Sequence, residues 1–74
     1  MSRIELEAPV TGVGWKVAAP PGTAVAVGDP VVVVESMKME IPVEATTAGT
    51  VAEVLVAEGD QVAEDAMVAV IQAD

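Results

Sequence analysis

Apolar and polar positions alternate along most of this chain, and Pro or Gly interrupts them every several residues. From Gly12, G-V-G-W-K-V reads as a strand, P-P-G-T as a turn, A-V-A-V as a strand and G-D-P as a second turn. Four valines, Val31 to Val34, then lead into E-S-M-K-M-E. Further on, G-T-V-A-E-V-L-V alternates, E-G-D-Q turns, and A-M-V-A-V-I closes the chain. No helical spacing survives that punctuation, and the β-branched residues that dominate it favour strands.

The pattern occurs twice. Sliding residues 8–35 by 37 positions lays them on 45–72 without a gap, with 8 identities in 28 pairs. Gly12 meets Gly49 and Gly22 meets Gly59, so each pair predicts the same backbone feature in both copies. Two similar halves, each too small to bury a face alone, must pack together. The expected fold is all-β: a flattened barrel or sandwich of two similar four-stranded halves with internal pseudo-two-fold symmetry. It forms one domain over 1–74, with a core of about 8–72.

The segment Ser36 to Glu44 lies between the copies. A two-residue turn at Met37 and Lys38 pairs Val34 with Ile41 and Val32 with Val43, all facing inward. Glu35 and Glu40 then oppose each other in solvent, an unfavourable pair. The turn also lacks the Asn-Gly or Asp-Gly that tight hairpins prefer. Two local costs at one place are the kind of inconsistency that collects at functional sites.

Composition narrows the chemistry. Of 74 residues, 53% are apolar, Val and Ala supply most of these, and Trp15 is the only aromatic. Cys and His are both absent, which removes zinc fingers, thiolate catalysis and Ser-His-Asp triads. No catalytic or metal-binding residue is assigned. Twelve acids against three bases give a net charge of −9, which suits neither a nucleic-acid backbone nor an anionic membrane. The start, M-S-R-I-E-L-E, carries acids where a signal peptide needs an apolar stretch, so a cytoplasmic domain is the expectation; the domain itself is expected to be monomeric.

Only two lysines exist, Lys16 and Lys38, and Lys38 sits at the hairpin apex. Glu35, Glu40 and Glu44 are near it in sequence, and no aromatic wall is present to strip its proton. A reaction at this amine therefore needs an enzyme that brings an activated acyl group. Met37 and Met39 flank it, and methionines at an exposed tip suit an adaptable docking surface. Lys16 reads as a solvated strand residue, and Trp15, whose repeat partner is Ala52, as a cover for part of the core.

V-V-V-E-S-M-K-M-E-I-P-V resembles the attachment motif of the biotinyl/lipoyl carrier family, in the Met-Lys-Met form typical of biotin carboxyl carriers, and E-S-M-K-M-E-I in so short a chain is most similar to the small stand-alone attachment proteins. The resemblance extends through Ala8–Gly12, Gly28-Asp29, A-G-T-V at Ala48 and E-G-D-Q-V at Glu58. It implies a barrel-sandwich hybrid in which Lys38 is biotinylated by a biotin protein ligase through biotinyl-adenylate. Glu35, Ser36, Met37, Met39 and Glu40 would be read by that ligase. The domain would shuttle CO2 as carboxybiotin between a biotin carboxylase and a carboxyltransferase, without catalysing a step itself.

The chain departs from the family pattern in three places. Ser36 stands where Ala is common, and Asp65 stands where Gly is usual. The ungapped repeat also leaves no room for a protruding thumb between the second and third strands. Two alternatives stay open: a lipoyl carrier of an oxidative decarboxylation complex, and an unmodified barrel-sandwich interaction module. Lipoyl domains usually have Asp before the lysine, where this chain has Met37.

Overall fold

The computed structural model describes residues 2–73. Eight strands form: β1 Arg3–Glu7, β2 Gly12–Val17, β3 Ala24–Val25, β4 Pro30–Ser36, β5 Met39–Glu44, β6 Gly49–Val54, β7 Gln61–Val62 and β8 Met67–Ala73. They make two four-stranded antiparallel sheets, ordered β1-β8-β6-β3 and β5-β4-β2-β7. Val31, Val34, Val51, Val68 and Ile71 fill the space between them.

The 37-residue offset carries β2, β3 and β4 onto β6, β7 and β8 with the same limits. The two halves do not form separate sheets. Each sheet takes two strands from each half, so neither half has a sheet of its own and the halves must fold together.

The repeat also reaches further toward the N-terminus than residue 8. In β1, Ile4 and Leu6 alternate with Glu5 and Glu7, and Leu6 is buried. Ile4 and Glu7 correspond to Ile41 and Glu44 in β5. The unduplicated segment is thus smaller than Ser36–Glu44 and shrinks to the hairpin turn. The pairing of β1 with β8 mirrors the β4–β5 hairpin, and the Ala73 N–H donates to the Ser2 carbonyl at 2.7 Å. A two-fold that exchanges the sheets also exchanges the ends of this 35 × 17 × 17 Å body, so the chain ends meet opposite the hairpin tip.

Two glycines are fixed by crowding. A Cβ on Gly12 would collide with the Glu35 carbonyl oxygen, and one on Gly49 with that of Gln72, its repeat equivalent. The strand expected over A-V-A-V ends at Val25. The Asp29 carboxylate accepts from the Ala26 N–H at 2.9 Å, turning the chain there and leaving Val27 exposed.

Trp15 does not cover the core. The β2–β4 register shifts between Gly14 and Lys16, so Trp15 is the extra residue of a β-bulge and stands 45% exposed on the outer face. The same shift recurs between Val51 and Glu53, with Ala52 in the equivalent place. The bulge turns both Trp15 and Lys16 toward solvent.

Candidate functional site

The β4–β5 hairpin has the register that its alternation requires: Val32 faces Val43, Val34 faces Ile41, Glu35 faces Glu40 and Ser36 faces Met39. Val32, Val34 and Val43 are buried, so a slip of one residue would expose three core side chains. That leaves two residues for the turn, and both take the left-handed backbone, Met37 at φ 52° and Lys38 at φ 65°. Positive φ at both central residues is the tight-hairpin geometry that matches strand twist, and it normally selects Asn-Gly. For residues with a Cβ it costs about 1–2 kcal/mol each. The buried Val32–Val43 pair and Val34 below the turn hold this strain in place.

The geometry presents Lys38 fully. Its side chain is exposed, and among the described residues the only ion pair is Arg3 with Glu53, at 3.7 Å in the other sheet. Met37 is 91% exposed and Met39 65%, so neither folds back over the barrel end. Glu35 and Glu40 are exposed and Ser36 is half-buried. The structure brings Glu35, Ser36, Met37, Lys38, Met39 and Glu40 together at one tip. Glu44 is not among them: it pairs with Pro30 at the far end of β5.

The shallow clefts lie elsewhere, one along the β1–β5 seam near Leu6 and Val43, the other beside β7 near Thr11 and Val62. The tip therefore fits a group held by one covalent bond to an amine, and it does not enclose that group. No three His, Cys, Asp or Glu side chains are grouped to hold a metal among the described residues.

Sequence reading passes over one part of this sheet. Val13 pairs with Glu35 and is exposed on the same outer face as Trp15. The signal for it is the asymmetry of the repeat: Val13 and Trp15 stand where the other copy has Thr50 and Ala52.

Comparison with known proteins agrees with the geometry. A family model described as "Biotin-requiring enzyme" matches residues 3–71. The biotin/lipoyl attachment protein of Bacillus subtilis (strain 168) is 48% identical over 50 residues, covering 68% of this chain and 68% of that protein. Pyruvate carboxylase of Aspergillus niger is 40% identical over 58 residues, 78% of this chain. The crystal structure of Kluyveromyces lactis urea carboxylase superposes with a TM-score of 0.93 at 39% identity over 97% of this chain. The chain spans only 5% of that pyruvate carboxylase and 6% of that urea carboxylase. An all-β duplication with a strained, lysine-tipped hairpin and these relatives together place the chain in the biotin/lipoyl attachment family.

Proposed function

We propose that the Nζ of Lys38 is the point of covalent biotin attachment and that the domain is a non-catalytic carrier serving a biotin-dependent carboxylase. The observation that carries this reading is the position of Lys38: an exposed amine at the second central residue of a strained turn, fixed by buried Val32, Val34 and Val43 beneath it. An amide at this nitrogen replaces a charged side chain with a neutral tether that extends on the order of 15 Å from the backbone. When bound, biotin supplies the CO2-carrying chemistry, and the chain supplies a rigid mount.

Met37 and Met39 offer a biotin protein ligase two exposed, adaptable apolar side chains beside the amine. Glu35 and Glu40 add charge on one side of the tip, and the half-buried Ser36 leaves room for the ligase to approach the turn. A biotin carboxylase and a carboxyltransferase are the partners to which the loaded tip is presented. Tethering raises the local concentration of the cofactor at each. Biotin rather than lipoate is supported by Met37, which precedes the lysine where an Asp would mark a lipoyl domain, and by the carboxylases among the similar proteins.

The test is intact mass of the protein from its native cell, followed by peptide mapping. Biotin, lipoate and no modification give three different masses. Biotin on the peptide containing Lys38 is the expected result. Modification at Lys16 instead would overturn the assignment.

A further inference from the structure

Outside the hairpin turn, the internal duplication provides a control for surface residues, because each strand of one sheet has an equivalent in the other. On the outer face of the β1-β8-β6-β3 sheet, Thr50, Ala52 and Glu53 surround the β6 bulge. Glu53 there is occupied by Arg3, at 3.7 Å. On the outer face of the lysine-bearing sheet the equivalent residues are Val13, Trp15 and Lys16. The bulge itself is therefore satisfied by Ala, and the fold has no need of an indole at Trp15. Charges are exchanged as well: Lys16 replaces Glu53 and Glu40 replaces Arg3, yet no ion pair forms between Lys16 and Glu40. The chain's only aromatic side chain and an ammonium group with no ion pair among the described residues stand together on the sheet that ends in Lys38.

We infer that Val13, Trp15 and Lys16 form a berth on which the biotinyl arm of Lys38 folds back between visits to its partners. This inference rests on Lys38 as the attachment point. Trp15 bulges out between the rows of Val34 and Val33. Two strand residues and the first turn residue separate Val34 from Lys38, roughly 10 Å along the hairpin, and the lysine stem with its cofactor spans on the order of 15 Å. The arm thus reaches Trp15 along the outer face of its own sheet. The chemistry matches the bicyclic head of biotin. An indole face covers the apolar, sulfur-bearing ring, an S···aromatic contact of a favourable kind. The Lys16 ammonium, which has three donors and no carboxylate partner among the described residues, is placed to donate to the ureido carbonyl. Val13, one row nearer the tip beside Glu35, lines the path between them.

Because Trp15 is the only aromatic residue, intrinsic fluorescence reports on this one side chain. The experiment compares unmodified protein, protein fully biotinylated at Lys38 as verified by mass, and the Lys38→Gln variant. Biotinylation is expected to move Trp15 emission to shorter wavelength and to lower acrylamide quenching about twofold as the ring covers half-exposed indole. Lys38→Gln, which removes the charge without adding an arm, is expected to match unmodified protein, and Lys16→Gln to weaken the effect of biotinylation. Nuclear Overhauser contacts between indole and biotin ring protons would place the two in contact.

Emission and quenching unchanged in mass-verified biotinylated protein would overturn the berth while leaving Lys38 as the attachment point. So would a change that Lys38→Gln reproduces. Protection of Trp15 only when the ligase binds would make the face a protein-docking surface and would equally overturn it. Failure to find biotin on Lys38 at all would be a failure of the attachment reading instead.

Discussion

Asp65 holds the left-handed backbone, at φ 68°, that its repeat partner Gly28 holds at φ 92°. The two occupy the same turn in the two copies, but one carries a side chain and the other does not. Asp tolerates this conformation better than most residues, and still at a cost. Asp65→Gly is expected to stabilise the domain by up to about 1 kcal/mol. Gly28→Ala is expected to destabilise it by about 1 kcal/mol or more. A Cβ at Gly28 would meet nothing within 4 Å, so that loss would be purely one of backbone conformation. Urea melts of the three proteins measure both changes.

Gly12 makes the opposite case, in which space rather than φ is limiting. Gly12→Ala forces a methyl group against the Glu35 backbone oxygen, and neither strand can yield without disturbing the lysine-bearing hairpin. A loss of about 3 kcal/mol is expected, a large share of the stability of so short a domain. Thermal unfolding checks it. Gly49→Ala should cost a similar amount in the other sheet.

The turn strain yields a prediction in which stability and function separate. Replacing Met37 and Lys38 with Asn and Gly supplies the residues that positive φ at both places prefers. The variant is expected to gain about 1–2 kcal/mol and to accept no biotin. Denaturant midpoints and a ligase assay read the two effects side by side. A variant no more stable than the parent would mean that the turn stores no strain.

Exchanging the two turn residues tests presentation alone. Met37→Lys with Lys38→Met preserves charge, composition and every buried pair, and both places are exposed. Melting temperature should move little. The initial rate of biotin transfer should fall on the order of a hundredfold, since attack geometry tolerates little displacement of the amine. Equal rates would show that the ligase accepts any exposed lysine at the tip.

The hairpin was legible in the sequence because only one register buries Val32, Val34 and Val43 together, and the glycine pairs exposed the duplication. Other features depend on contacts that periodicity does not encode. Strand β1 is short and half acidic, and its partner β8 lies at the other end of the chain. Trp15 reads as a core residue until the bulge after Gly14 shifts it out of the ladder. Val31 and Val32 are consecutive yet both buried, because the β4–β5 pairing is irregular between Pro30 and Val32. Strict alternation cannot foresee that. Nor does the repeat show that each sheet draws strands from both halves, since an offset in sequence does not say which copy pairs with which.

The meeting of Ser2 and Ala73 opposite Lys38 gives the domain the mechanics of a boom. A linker joined at either end pulls on the same pivot, and the amine is carried at full extension whichever end is anchored. The 35 Å body then adds its own length to the arm. Swinging about that pivot, a cofactor on Lys38 would sweep a radius on the order of 50 Å, enough to serve two active sites that a flexible side chain could never reach by itself.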